Sequence, residues 1–396
     1  MPAGDPAGAV RAALGDAPAL VALSGGGDSV ALLLAAHEAG LLRGAATVDH
    51  GLRPEAAAEA RWAAALCARL GVPHATLPLS LRDGPGLQDR ARTARYAALA
   101  AWGAGRTVLV GHTADDVAET LAMRLGRGVG LRGLAAMPDA WEVDGTPFAR
   151  PFLPLTRAHL RDWLRARGET WLEDPSNDDP RFERARLRAA MASLGWDAEA
   201  LARSARALRE ASRSLGAHAA EIADRAVRET AAGEVLIEEA AIPEGAAEQR
   251  RRLWLFALAR VGGRPAPRGA ELARAMAATA SHALAGCIVT PGAPVRIARE
   301  VAACPSPGPA TAPWDGWRVE GPALGALTVG ALGDDVAQVP WRGTGLPRRA
   351  LLATPALRRD GALVAAPVAG LAAGYRAALQ RPPLAAAIRR HPAIAR

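Results

Sequence analysis

Ser24-Gly25-Gly26-Gly27-Asp28-Ser29 stands between an apolar run, Pro18–Leu23, and a helical pattern that opens at Val30. Glycines at such a junction leave backbone N–H groups uncovered, and the helix start adds the positive end of its dipole. Together they form a nest for phosphate oxygens. Ser24 and Ser29 add hydroxyl donors, and Asp28 is a carboxylate placed to hold Mg²⁺ beside the phosphates. A Gly-rich turn with a Ser/Asp cap would account for the glycines alone, but not for the whole Ser-Gly-Gly-x-Asp-Ser string between strand and helix. The chemistry this predicts is ATP binding through backbone amides.

A second cluster follows the run Thr107–Val110: Gly111-His112-Thr113-Ala114-Asp115-Asp116-Val117-Ala118-Glu119-Thr120. Thr113 and Asp116 fit a helix N-cap and its partner in the first turn. Asp115 and Glu119 are like charges at i,i+4, which weaken a helix unless a cation sits between them. With Asp116 they form an acidic cluster suited to Mg²⁺ or an ammonium group. Val48-Asp49-His50-Gly51-Leu52-Arg53 either ends a strand or offers His50 and Arg53 to an adenine edge or a phosphate. Arg92, Arg95 and Tyr96 fall on adjacent faces of one helical pattern, as a solvated face or as planar forks for phosphate. Arg124–Leu134 is a glycine-broken, arginine-bearing loop, read as a helix stop or as a lid over the nucleotide. Arg150-Pro151-Phe152-Leu153-Pro154 and the turn signal Asp174-Pro175-Ser176-Asn177 precede a basic run, Arg181, Arg184, Arg186 and Arg188. That run is a solvated face or a stripe that tracks phosphates.

These motifs need a scaffold that brings strand ends together. Strands are expected at Leu20–Leu23, Gly44–Val48, His74–Leu77 and Thr107–Val110, alternating with helices at Ser29–Leu42, Glu55–Leu70, Gln88–Trp102 and Asp115–Leu125. This β-α order predicts an α/β fold with a doubly wound parallel sheet and ligands at the carboxyl ends of its strands. From Asp197 to Glu229 the apolar spacing is that of one long amphipathic helix. Arg206, Arg209 and Arg213 fall on one face of it, at steps of three and four, leaving that face for an RNA backbone or for water. Helical patterns at Glu248–Ala259 and Gly269–Ala278 and a hairpin across Cys287–Arg299 come next; Pro305, Pro307, Gly308, Pro309 and Pro313 mark a linker. The expected domains are 1–195, catalytic; 196–302, mainly helical; and 314–396, a small α+β region.

All 48 basic residues counted as Lys or Arg are arginine. A P-loop that needs its Lys on the phosphates is therefore excluded, as is Schiff-base chemistry on a chain lysine. The formal net charge of +8 suits a polyanionic partner. Cys67, Cys287 and Cys304 are widely spaced, without a C-x-x-C pair, which fits a reducing compartment and argues against zinc or iron–sulfur sites. With no signal pattern and no membrane-length apolar run, the expected location is the cytoplasm.

Taken in order, Ser24–Ser29, Val48–Arg53, Ala91-Arg92 with Arg95-Tyr96, His112–Thr120, Arg127–Gly133, Arg150–Leu153 and Asp174–Asn177 resemble the tRNA(Ile)-lysidine synthetase family of PP-loop ATP pyrophosphatases. The likeness is close over roughly the first half and only general from Asp197 onward. Gln88 stands where that family often has Glu, Val129 where it usually has Ser, and Ala185 interrupts its Arg-Asn-Arg pattern. The resemblance implies ligation of free L-lysine to the wobble cytidine of the CAU-anticodon isoleucine tRNA, with ATP split to AMP and pyrophosphate. It implies ATP contacts at Ser24, Gly25, Gly26, Gly27, Asp28, Ser29, His50, Arg92 and His112, with Mg²⁺ on Asp28. Asp28, Asp116 and Glu119 would be catalytic, and Asp116 and Glu119 would grip lysine. Arg95, Arg127, Arg184, Arg206, Arg209 and Arg213 would meet the tRNA; a homodimer is compatible with the likeness, and no membrane partner is expected. A tRNA thiolase on the same fold would call for paired cysteines, which the chain lacks, and an RNA-binding module without activity would not need Asp28 and the His112–Thr120 set.

Overall fold

The computed structural model describes residues 4–49, 56–79, 84, 86–135, 137–173, 181, 183–265 and 267–390. His50, Arg53 and Asp174–Asn177 lie outside these, as does the side chain of Gln88. The chain divides into two compact units, Met1–Arg209 and Glu210–Arg396.

The first unit runs α1 (Pro6–Leu14), β1 (Ala19–Ala22), α2 (Gly27–Glu38), β2 (Leu42–Asp49), α3 (Ala56–Arg69), β3 (His74–Pro78), α4 (Leu87–Gly103), β4 (Val108–Val110) and α5 (Ala114–Gly126). Then come α6 (Leu131–Leu134), β5 (Ala140–Val143), β6 (Thr146–Ala149), α7 (Arg157–Arg165), α8 (Glu183–Ser193) and α9 (Ala198–Ala226), the last continuing into the second unit. The strands form one sheet in the order β3-β2-β1-β4-β6-β5. All neighbours are parallel except the edge pair β5–β6.

Every residue of β1 is buried, as a strand covered on both faces must be. Ala19, Val21 and Leu23 face a core with Val30–Ala36 of α2, Leu66 of α3 and Leu160 and Leu164 of α7. Leu20 and Ala22 face the other side, against Leu99 and Ala100 of α4 and Phe148 of β6. Helices thus cover both faces, giving the doubly wound arrangement that the alternating pattern predicts. The strand order reverses at β1, between β2 and β4, and ligands in such sheets bind at the carboxyl ends beside that reversal. The glycine loop follows β1, and His112–Thr113 follows β4.

The second unit opens with a five-stranded antiparallel-paired sheet that includes Cys287–Thr290 and Val295–Arg299, the expected hairpin, with Cys287 opposite Arg299. Its core joins Ile222 and Ala226 of α9 to Leu253–Leu258, Val235, Val289 and Ile297. Arg252 is fully buried there, donating to Glu248, to the Ser212 carbonyl and to the Ser212 hydroxyl. The Pro-rich segment is largely exposed, with Pro305, Pro307, Pro309 and Pro313 all at the surface, and it is tied down where Gly308–Pro309 pairs with Thr328–Val329 and where Ala310 and Trp314 are buried. No helix among the described residues is long and apolar enough to cross a membrane.

Candidate active site

Gly26 caps α2 without a side-chain hydrogen bond, so the helix opens on glycine backbone. Gly25 has φ +88°, and a Cβ there would lie 2.7 Å from Leu172 Cδ1, so only glycine fits. The loop rests on the segment before α8: the Leu172 N–H donates to the Gly25 carbonyl at 2.9 Å, and Trp171 lies against Gly27. On the other side a Cβ on Gly111 would meet the Asp28 carbonyl at 2.9 Å, so a glycine after β4 lets the two motifs touch. Ser29 is buried and donates its hydroxyl proton to the Gly26 carbonyl at 2.9 Å while accepting the Ser24 N–H at 3.1 Å. In the structure the Ser29 hydroxyl braces the loop. Ser24 is exposed, and its hydroxyl donates to the Ser29 hydroxyl at 3.1 Å.

Opposite the loop, α5 presents its acids. The Thr113 N–H and hydroxyl both donate to Asp116 Oδ2, at 2.9 and 3.0 Å, forming the expected cap. The chain itself supplies a cation to this acidic cluster. Arg157, first residue of α7, donates from Nη2 to Asp116 Oδ1 (2.7 Å), from Nη1 to Glu119 Oε1 (2.9 Å) and from Nε to Asp28 Oδ2 (3.3 Å). Its backbone N–H donates to Asp115 Oδ2 at 2.8 Å. One residue thus ties the glycine loop to three acids of α5. Glu119, only 1% exposed, also faces Arg188 Nε at 3.3 Å and Arg184 Nε at 4.0 Å.

The charges follow from this packing. Burial raises the Asp28 carboxyl to about 6, against the pull of Arg157. Burial would also raise Asp116, but Arg157 and the Thr113 hydrogen bonds outweigh it and hold the carboxyl below its ordinary range. Burial works against the Arg157 charge, yet Asp116 and Glu119 raise its pKa.

His112 is held neutral, its pKa pushed down to about 3 chiefly by burial, with Arg150, Arg95 and Arg92 adding to the effect. Arg150 Nε donates to His112 Nδ1 at 3.1 Å. Guanidinium has no acceptor, so Nδ1 must accept and Nε2 carries the proton. Arg150 is fixed in turn by the Pro138 carbonyl at 2.7 Å and by the Trp141 ring, 3.6 Å below its guanidinium. His112 therefore serves as a neutral N–H donor. We expect His112→Gln to keep the shape of the pH–rate profile between pH 5 and 8, which steady-state rates across that range will check.

Arg92 is exposed, with its guanidinium 5.2 Å from the Tyr96 ring centroid, whereas Arg95 is half-buried and burial lowers its pKa. Arg127 is exposed and pairs with Glu183 at 2.7 Å. Arg206 and Arg213 are exposed on α9. Arg209 is not: it is 8% exposed, its Nε donates to the Ala135 carbonyl at 3.2 Å and its Nη1 pairs with Asp139. The expected open face thus loses its middle residue, because α5, α6 and the chain after them cover that side of α9.

Sequence reasoning passed over Arg157, and it met Arg150 and Arg188 only as members of a motif and of a basic run, without a place in this site. A signal for Arg157 was present. A cation in the first turn of a helix opposes the dipole, so an arginine directly after the N-cap Thr156 calls for acidic partners.

An open glycine-lined helix start at the switch point of a parallel sheet, faced by an acidic wall, defines an ATP-binding enzyme of the PP-loop class, and the PP-loop domain family matches residues 9–194. The tRNA(Ile)-lysidine synthase of Ruegeria pomeroyi is 42% identical over 381 residues, spanning 91% of this chain and 90% of that protein. That of Zymomonas mobilis is 39% identical over 264 residues, 64% of this chain and 79% of its own length. The chain belongs to the tRNA(Ile)-lysidine synthase family, ligases of the PP-loop ATP pyrophosphatase type. Among solved structures, the U34-tRNA thiolase NcsA from Methanococcus maripaludis aligns with 16% identity and a TM-score of 0.44, over 52% of this chain and 78% of its own.

Proposed function

We propose that this enzyme joins L-lysine to C2 of the wobble cytidine in the CAU-anticodon isoleucine tRNA. The cytosine C2 oxygen attacks the α-phosphate of ATP and pyrophosphate leaves; the lysine ε-amine then attacks C2, loses a proton, and AMP departs with the oxygen. The observation that carries this reading is the juxtaposition that Arg157 marks: a phosphate nest and a wall of carboxylates at one sheet end. The amides of Gly25–Gly27 and the dipole of α2 receive the pyrophosphate, and the paired Ser24 and Ser29 hydroxyls turn to it from the loop. His112 offers Nε2–H to the nucleotide, and Arg188, beside Glu119, faces the reacting phosphate. Asp116 and Glu119 take the lysine ammonium, and a carboxylate of this wall accepts the proton lost in the second step.

Mg²⁺ fits Asp28, since that ion commonly takes one or two carboxylates together with substrate phosphates. Bound there, it would offset pyrophosphate charge. Among the described residues no group of three or more His, Cys, Asp or Glu forms a metal cage, consistent with a site completed by ATP. The deciding assay is AMP release from ATP. It should require both free lysine and the CAU-anticodon tRNA, and release without either would reject the reading.

The tRNA contacts proposed are Arg95, Arg127, Arg184, Arg206 and Arg213, with Arg209 removed from the set. Arg206→Ala should weaken tRNA binding and reduce the salt slope of log K by about 0.7–1. Arg209→Ala should instead lower the melting temperature and leave that slope unchanged. Filter binding at several salt concentrations, with thermal melts, separates the two.

A further inference from the structure

Three nitrogens of the Arg157 guanidinium each reach a different carboxylate, on Asp28, Asp116 and Glu119. Burying such a set without a counter-charge would be costly, because buried ions need partners. The guanidinium also occupies the space in front of the carboxylates to which the proposed function assigns substrate cations. Glu119 already faces Arg188 and Arg184 as well, so a substrate ammonium enters only where Arg157 leaves, since like charges at that separation repel. Arg157 is poorly anchored otherwise: its side chain springs from the first turn of α7, is 21% exposed, and stands where the helix dipole disfavours it.

The geometry points to Arg157 as a resident counter-ion that the substrates displace. This inference rests on the reading that the site takes ATP at the glycine loop and lysine at the acids of α5. In the free enzyme the guanidinium bridges Asp28, Asp116 and Glu119 and offsets part of their charge. When ATP enters, its phosphates arrive beside Asp28, whose carboxylate Arg157 already touches, and a change of rotamer carries the planar fork onto phosphate oxygens. Asp116 then loses its guanidinium partner and Glu119 keeps Arg188 and Arg184, and the lysine ammonium restores the missing positive charge. Anion and cation are exchanged as a pair, so each substrate strengthens binding of the other. Arg157 is a positioning residue in this account and makes no bond in the chemistry.

The test is titration calorimetry of L-lysine into the full chain, with and without a non-hydrolysable ATP analogue and Mg²⁺. In the wild type the analogue should tighten lysine by about tenfold, within the usual span of coupling between sites. In Arg157→Gln lysine alone should bind as tightly as it does to the loaded wild type, and the analogue should add little. Arg157→Lys keeps a point charge without the fork and should fall between the two, which preserves the test if the Gln variant melts. Coupling unchanged in Arg157→Gln, or lysine binding weakened with and without nucleotide, would overturn the exchange. Glu119→Gln checks the underlying assignment separately. If it binds lysine as the wild type does, the lysine slot itself is misplaced and the exchange falls with it; if it loses lysine while Arg157→Gln leaves the coupling intact, only the exchange fails.

Discussion

Asp28→Ala is expected to reduce AMP formation by roughly a hundred- to a thousandfold, the scale of losing one group aimed at charge that moves in the transition state. The fold should survive. Asp28 contributes no core packing, and its contact with Arg157 Nε, at 3.3 Å, is the longest of the three that guanidinium makes to carboxylates. Its carboxyl is raised to about 6, chiefly by burial, so ionisation is disfavoured in the folded protein relative to the unfolded chain. The sign of the linkage follows: a carboxyl raised in this way favours folding at low pH, and that contribution is lost as the pH rises through 6. At pH 7.5 the Ala variant should therefore melt no lower than the wild type. At pH 4.5 any advantage should vanish. Thermal melts at the two pH values, with AMP measured by chromatography, check both halves. Near-normal turnover with unchanged Mg²⁺ dependence would remove Asp28 from the phosphate site. The combination expected, higher stability with lost activity, marks a group held in an unfavourable state for function.

What the sequence reveals about this site is what lies close along the chain. The glycine loop and the Thr113–Asp116 cap are complete within a few residues each, so type and spacing describe them fully. Asp115 and Glu119 even carry a local sign of something missing, a repulsion that asks for a cation. The identity of that cation lies far off in sequence, since Arg157 is 129 residues from Asp28 and 38 from Glu119. No periodicity links such positions; only the sheet order, which sets β4 beside β1 and brings α7 against α2, makes them neighbours. Arg209 illustrates the opposite error. Spacing groups it correctly with Arg206 and Arg213, but one helix cannot tell that Ala135 and Asp139 lie across that position. The Pro-rich segment shows the same limit of local signals. Proline and glycine signal irregular backbone, which an exposed loop pinned to a sheet edge uses as readily as a free spacer, and Ala310 and Trp314 are the buried residues that pin it.

The second large effect is expected at Glu119. The side chain is 1% exposed and meets three guanidinium groups, those of Arg157, Arg188 and Arg184. Glu119→Gln preserves shape and one acceptor but removes the negative charge that balances them, leaving the amine slot under a net positive field. A hydrogen bond to a charged partner is worth about 1.5–3 kcal/mol, so the lysine-dependent step should slow by roughly 10- to 150-fold. Attack of the cytidine oxygen on ATP needs no ammonium partner and should proceed. The adenylated tRNA should then accumulate, visible in a single-turnover quench with α-labelled ATP as label retained on RNA. Asp116→Asn should act in the same direction but also loosen the helix, because Oδ2 of Asp116 holds both donors of Thr113. That difference sets apart the loss of charge from the loss of a cap: the Asn variant should show a lowered melting temperature and the Gln variant a smaller change. If instead nucleotide binding collapses in Glu119→Gln while lysine affinity holds, the acid serves to aim Arg184 and Arg188 at phosphate. The lysine site must then be sought elsewhere on the wall.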